Sequence, residues 1–175
     1  MADGRGIRIM RVEGVGKVSL INLVDVVSRL KAESYPSLET SNPALPDYQL
    51  AFRRAFLTHG LPETLTLDHG TVFYDNTTPS PFPTRLHLWL LVLGVHVRFT
   101  RKRCPTDHAI IERTHQTMMA QVVLGQAYSS HSALWAGLDE RRDVLIRHLP
   151  SRVLSHNPPI RGLSPGYLFG TILPA

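Results

Sequence analysis

Residues 59–73 read HGLPETLTLDHGTVF, and this stretch decides the predicted fold. A helix that approaches it is expected to end at Gly60, because glycine readily adopts the backbone conformation that follows a helix. Thr64–Leu67 is then predicted to be a short apolar strand that ends at Asp68. An Asp-His-Gly sequence after a strand indicates a turn that leaves the carboxylate at the edge of a sheet.

A second carboxylate lies in residues 105–115, which read PTDHAIIERTH. Glu112 is expected in the first turns of a helix that runs from Thr106 to about Val123. A carboxylate at a strand end and another at a helix start can converge above a sheet edge. Hard oxygen ligands hold Mg²⁺, and two ions about 3.5–4 Å apart can assist phosphoryl transfer. Each residue also has a purely structural interpretation, Asp68 as a turn former and Glu112 as part of a solvated helix face.

The hydrophobic pattern predicts further strands and helices around these two segments. A run rich in β-branched residues within residues 17–34 is typical of a strand buried on both faces. The predicted strands are Ile7–Val12, Val18–Val27, Arg29–Tyr35 (ended by Pro36), Thr64–Leu67 and Val95–Thr100. The predicted helices follow Pro46, cover Leu86–Leu93, run from Thr106 to about Val123 and run from about Ser132 to His148. This order predicts an α/β fold, a mixed sheet with helices packed on its faces.

Composition limits the classes of protein that are possible. The 175 residues suffice for one domain with a real core, and 43% hydrophobic residues argue against disorder. The net charge of +5 favours polyanionic partners, although many proteins are mildly basic for solubility alone. A single cysteine, Cys104, excludes an internal disulfide and a cysteine-based zinc site. With no secretory signal and no apolar run long enough to span a bilayer, a cytoplasmic protein is expected.

Three segments together resemble one known family. They are INLVDVVSR at residues 21–29, HGLPETLTLDHGTVF at residues 59–73 and VHVRFTRKRCPTDHAIIERTHQTM at residues 95–118. Their order and spacing closely resemble the DDE catalytic core of insertion-sequence transposases and retroviral integrases, over roughly Lys17 to Gln126. The resemblance implies an RNase H-like fold, Mg²⁺ or Mn²⁺ as cofactor, and DNA cleavage and strand transfer as the chemistry. It also implies that Asp68 and Glu112 are the second and third catalytic carboxylates and ligate the metal.

The first carboxylate of the family is not evident in this sequence. In the family it lies on the strand before the V-D-x-x-S-R strand, where this chain reads MADGRGIRIMRVEG. We expect that the first strand was lost upstream of Met1, and we retain Asp25 as a tentative substitute. With two carboxylates, activity is expected to be weak or absent. The alternative is a remnant of a mobile element that binds DNA or a transposase without cutting.

Basic residues lie on both sides of Glu112 in the sequence. Arg101, Lys102 and Arg103 form a basic loop, and Arg113 and His115 follow Glu112 on its helix. We predict that all five contact DNA, because lysine and arginine neutralise phosphates, but a solvated loop and an ordinary exposed helix face would explain them as well. The expected partners are mobile-element ends and target DNA, bound by a homo-oligomer. We expect the catalytic core to occupy residues 1–150 and a proline-rich tail to occupy residues 151–175.

Overall fold

The computed structural model describes residues 10–38, 43–75, 82–101 and 109–162. The strands in these ranges are β1 (Met10–Val12), β2 (Gly16–Val24), β3 (Lys31–Ser37), β4 (Thr64–Leu67) and β5 (His96–Phe99). The helices are α1 (Leu45–His59), α2 (Arg85–Val92), α3 (Ala109–Met118), which continues as a π-helical turn over Met119–Val123, and α4 (His131–Arg147). Two short 3₁₀ turns follow, Arg152–Leu154 and Pro159–Gly162.

The strands form a mixed arrangement. β2 pairs antiparallel with β1 on one side and with β3 on the other. β4 and β5 pair in parallel, with Thr64 opposite His96 and Leu67 opposite Phe99. A parallel pair needs a crossover connection, and α2 supplies it between β4 and β5. The front meander and the later β-helix-β unit both agree with the sequence-based prediction.

Helices cover both faces of β2, because its side chains alternate between two hydrophobic clusters. Ile21 and Leu23 belong to a cluster completed by α1, β4 and α2. Val18 and Leu20 belong to the other, which α3, the π turn and α4 complete. Successive side chains of a strand point to opposite faces, so a strand packed on both sides must be apolar along most of its length. The predicted mixed sheet with helices on its faces is confirmed.

The predicted end of β3 at Pro36 is wrong. Pro36 lies within the strand, opposite Leu20 of β2. Among the described strands β3 pairs only with β2, so it has an edge where the missing N–H of a proline costs no ladder hydrogen bond. The strand signal of the neighbouring residues therefore extends to Ser37.

Arg54 of α1 packs against neighbouring elements rather than projecting away from the protein. Its Nε lies 3.4 Å from Oε2 of Glu33, its Nη2 donates to Oδ2 of Asp139 at 2.8 Å, and its guanidinium lies 4.4 Å from the ring centre of Trp135. The helical periodicity placed Arg54 beside the apolar face, where a long side chain can cover packed rings while its charge finds partners. Arg54 therefore joins α1 to β3 and α4.

Glu33 is the buried member of this ion-pair cluster, with 1% of its surface exposed. Burial raises the pKa of Glu33, and the nearby Arg142 and Arg54 only partly oppose that rise. A raised folded-state pKa stabilises the fold at low pH, and this contribution is lost as the pH rises from the ordinary glutamate range through the raised value.

We therefore expect Glu33→Gln to gain stability relative to wild type as the pH rises across that interval. Urea unfolding at a series of pH values, with the exposed Glu140→Gln as matched control, measures this difference, and a pH-independent difference would contradict it.

The remaining boundaries agree with the prediction within a few residues, with two differences. The long helix predicted to reach Val123 as one α-helix changes to a π turn after Met118, and its predicted start at Thr106 lies outside the described residues. Ile7–Ile9 of the first predicted strand also lie outside them, so the expectation of a lost first strand stays a prediction. Among the residues described, no helix is long and apolar enough to cross a membrane.

Candidate active site

Asp68 follows β4 directly and is fully buried. The backbone N–H of Thr100 donates to the carbonyl of Leu67 at 2.9 Å, which holds the ends of β5 and β4 together beside it. Oδ1 of Asp68 accepts a hydrogen bond from the backbone N–H of Gly70 at 2.8 Å. A Cβ atom at position 70 would lie only 3.0 Å from that oxygen, so glycine permits the close approach. The predicted turn after the strand is present.

The other carboxylate oxygen of Asp68 has no such partner. Oδ2 is buried, and no described residue forms a hydrogen bond with it. Buried polar atoms are nearly always hydrogen-bonded. Burying one carboxylate oxygen without a partner costs free energy, and a bound cation would offset this cost. This oxygen fits a metal ligand, although the described residues contain no group of three His, Cys, Asp or Glu side chains able to hold a metal ion.

Glu112 lies on α3, as predicted, with its side chain exposed. Ile111 and Thr114 are buried on the other side of the helix, which packs across β2. Amphipathic packing of this kind points residue 112 away from the core. Both carboxylates thus lie on the elements predicted for them. Asp68 is buried at the end of a strand, and Glu112 is exposed to solvent on a helix.

His115 has a partner that the sequence did not reveal. Its Nδ1 lies 3.1 Å from Nδ2 of Asn22 on β2, and Oδ1 of Asn22 accepts from the hydroxyl of Ser34 at 2.7 Å. Because an amide nitrogen only donates, Nδ1 of the imidazole is the acceptor in this arrangement. His115 is half-buried against the sheet, so its predicted contact with DNA stays a prediction. Asn22, the polar residue in the otherwise apolar run of residues 20–24, was the available signal for this contact.

Asp25 occupies a different part of the molecule. Its Oδ2 accepts hydrogen bonds from the backbone N–H and the hydroxyl of Ser28, so it organises the turn between β2 and β3. It lines a cavity that is also lined by Gly60 and Pro62 before β4 and by residues 64–66 of that strand, whereas Asp68 follows the strand and does not line this cavity. We leave Asp25 out of the proposed metal site for this reason. The described part of β1, the strand before β2, contains no carboxylate, and Glu13 directly after it is exposed.

Two more of the residues predicted to bind DNA, Arg101 and Arg113, lie within the described ranges. Arg101 is exposed and follows the buried Thr100 at the end of β5, close in sequence to the strand pair that holds Asp68. Arg113 is exposed on α3 beside Glu112. Lys102 and Arg103 lie outside the described residues. Contact of these four residues with DNA stays a prediction.

Comparison with known proteins bears on the fold. No family model matches the chain. The catalytic core domain of HTLV-2 integrase, determined in complex with magnesium in a trimeric form, matches with a TM-score of 0.65 at 12% identity, over 93% of this chain and 95% of that one. The BIV integrase catalytic core matches with a TM-score of 0.63 at 14% identity, over 89% of this chain and 90% of that one. The fold is that of a retroviral integrase catalytic core.

An integrase-type fold therefore accounts for the order of strands and helices. The integrase in an intasome of simian T-cell lymphotropic virus, bound to a PP2A regulatory subunit, also matches, with a TM-score of 0.65 at 14% identity. There the match covers 99% of this chain and 55% of the other, so this chain corresponds to part of that integrase. The predicted RNase H-like fold is confirmed. At such low identity the likeness concerns the fold and leaves the chemistry to be argued from the site.

Proposed function

We propose that this integrase-type core acts on DNA in transposition or integration, as a weak metal-dependent enzyme for strand cleavage and strand transfer. The observation that carries the proposal is the buried Asp68, whose Oδ2 lacks a hydrogen-bond partner among the described residues. Asp68 also sits at the carboxyl end of a parallel strand, the edge at which ligands of open α/β sheets bind. A structural turn former would require only the Oδ1 contact with Gly70.

In this proposal Asp68 and Glu112 hold Mg²⁺ or Mn²⁺. The divalent ion would supply Lewis-acid stabilisation of the phosphate and of the attacking and leaving oxygens. The Gly70 N–H fixes the orientation of the Asp68 carboxylate, and burial of α3 on β2 fixes the helix that carries Glu112. Activity is proposed to be weak because the described part of the chain contains no group of three His, Cys, Asp or Glu side chains able to hold a metal ion.

DNA is the proposed substrate and partner. The net charge of +5 and the exposed Arg101 and Arg113 suit a surface that follows phosphates. We also propose that the chain self-associates, as the HTLV-2 integrase core does in its trimeric form. Leu57 of α1 and Val92 of α2, two helices that contact each other, are 69% and 86% exposed and would favour such an interface.

The second candidate function is binding of DNA or of a transposase without cleavage. The missing third ligand among the described residues favours it. Under this alternative Asp68 would be a retained turn residue, and the basic surface alone would be functional. The two candidates agree on DNA binding and differ on dependence of cleavage on a metal ion.

Nicking of supercoiled plasmid by the purified chain separates the two candidates. We expect slow conversion to the open circle in MnCl₂ and none in EDTA, together with DNA binding that weakens steeply as salt rises. Binding without any metal-dependent nicking would favour the non-catalytic candidate. Absence of DNA binding by the folded chain would contradict both candidates.

A further inference from the structure

A cavity of about 160 Å³ lies at the start of β4, and we call it the β4 cavity. The end of β2, the start of β3, the end of α1 and residues 64–66 of β4 form its walls. Asp68 follows β4, so the cavity and that carboxylate are at opposite ends of the strand. Much of the wall is apolar, and Leu23, Ala55 and Leu65 are buried in it. Because an engineered apolar cavity of about 150 Å³ holds one benzene molecule, the β4 cavity has room for one six-membered ring.

The β4 cavity opens to solvent on one side. Val26 lines it and is 43% exposed, and Thr64, which is also exposed, lines it as well. Val27, the next residue along the turn after β2, is 72% exposed. Covering apolar surface is favourable in proportion to the area removed from water. An apolar group placed over this opening would therefore stabilise the protein.

Asp25 adds a polar group to this apolar wall. The backbone N–H and the hydroxyl of Ser28 both donate to Oδ2 of Asp25, so Oδ1 is left to accept from an occupant. A purely apolar occupant would cover this oxygen without replacing its contact with water, which costs free energy. A tyrosine side chain combines an apolar ring with a hydroxyl that donates, and it therefore suits both parts of the wall.

Gly162, the last described residue, lies beside the β4 cavity. A Cβ atom on Gly162 would lie 2.9 Å from Cβ of Ser28, the residue that is bonded to Asp25. Residues 163–175, which follow Gly162, read LSPGYLFGTILPA and contain one tyrosine, Tyr167. Five residues of extended chain span up to about 17 Å. Tyr167 can therefore reach the cavity from Gly162.

We propose that Tyr167 docks in the β4 cavity of its own chain, with its ring against Leu23 and Leu65 and its hydroxyl donating to Asp25. Docking ties the segment that follows Gly162 to α1, to β4 and to the turn between β2 and β3. The proposal goes beyond the proposed function, because it requires neither DNA nor a metal ion. It concerns the end of β4 that lies away from Asp68.

Thiol labelling of the full chain tests the proposal. Val26→Cys, in a Cys104→Ser background, places a thiol in the wall of the β4 cavity, and its rate of reaction with a soluble disulfide reagent is measured. Tyr167→Ala should raise this rate at least about tenfold, the factor that corresponds to about 1.4 kcal/mol of docking free energy. Tyr167→Phe keeps the ring and loses the hydroxyl, so its rate should lie between those of the other two proteins.

Two matched controls accompany this measurement. Val27→Cys places the thiol one residue further along the exposed turn, outside the cavity wall, and Tyr167→Ala should change its rate by less than about twofold. Phe169→Ala removes a different ring from the same segment and should leave the thiol at position 26 protected. Circular dichroism verifies that each variant is folded.

A second readout avoids the introduced thiol. A ring docked against Leu65 shifts the NMR resonances of its methyl groups, and Tyr167→Leu should remove that shift while the methyl resonances of Leu138, in the other hydrophobic cluster, stay in place. Equal labelling with and without Tyr167, together with unchanged Leu65 resonances, would overturn the proposal. An equal effect of Phe169→Ala would overturn the assignment to Tyr167. Protection that increases with protein concentration would mean that a second copy supplies the ring, and would overturn docking within one chain.

Discussion

Asp68→Asn is expected to reduce Mn²⁺-dependent nicking at least about a hundredfold while the chain stays folded. The substitution keeps the size of the side chain and the oxygen that accepts from Gly70. It replaces the buried second oxygen, which has no described hydrogen-bond partner, by an amide group that cannot ligate a cation. Loss of a metal ligand should remove several kcal/mol of transition-state stabilisation, and about 1.4 kcal/mol corresponds to a factor of ten in rate.

Glu112→Gln should give a loss of similar size, because the two carboxylates are proposed to share the ion. Glu140→Gln is the matched control, since Glu140 is also an exposed glutamate on a helix and lies on α4. Initial nicking rates are compared at equal protein concentration, with folding verified by circular dichroism. Equal rates for wild type, Asp68→Asn and Glu112→Gln would show that any nicking arises elsewhere or from a contaminant.

Gly14→Ala is expected to lower the free energy of unfolding by about 3 kcal/mol or more. Gly14 has φ +79° in the turn between β1 and β2, and a Cβ atom there would lie 1.9 Å from the carbonyl oxygen of Tyr128. That oxygen is backbone and cannot rotate away, and the Tyr128 N–H is already bonded to the carbonyl of Glu13 at 3.0 Å. The clash would separate the β1–β2 turn from the segment before α4.

Gly16→Ala, at the first residue of β2 directly after this turn, is the matched control. Gly16 also has positive φ, at +101°, but no atom lies within 4 Å of an added Cβ. It should therefore cost only the backbone strain, about 1–2 kcal/mol. Urea unfolding of both variants gives the comparison. Equal losses would mean that the contact between the turn and Tyr128 is absent in solution.

The sequence predicted those parts of the fold that depend on local signals. The short strand before Asp68, the glycine that ends α1 and the alternation of β2 between two faces are visible within windows of a few residues. These signals also placed Asp68 and Glu112 on the correct elements. The resemblance to integrase cores supplied the arrangement of those elements, which the comparisons of structure then confirmed as a fold.

Contacts between distant segments were not predictable in this way. The ion pair of Arg54 with Glu33 requires knowledge that α1 crosses β3. Pro36 could continue the strand because β3 pairs with β2 alone among the described strands. The hydrogen bond between Asn22 and His115 joins residues from β2 and α3. The contacts among the rings of His69, Tyr74, His87 and Phe99 likewise join three segments that are separate in sequence. Functional geometry of this kind depends on tertiary packing, which local propensity does not encode.

The central claim is that Asp68 ligates a divalent cation, and thermal unfolding with and without metal tests it most directly. A ligand that binds only the folded state raises the unfolding temperature in proportion to the logarithm of its concentration over the dissociation constant. We expect MnCl₂ to raise the unfolding temperature of the wild-type chain above its value in EDTA, and to leave that of Asp68→Asn unchanged. An equal rise in both proteins, or no rise in wild type at millimolar MnCl₂, would contradict the claim.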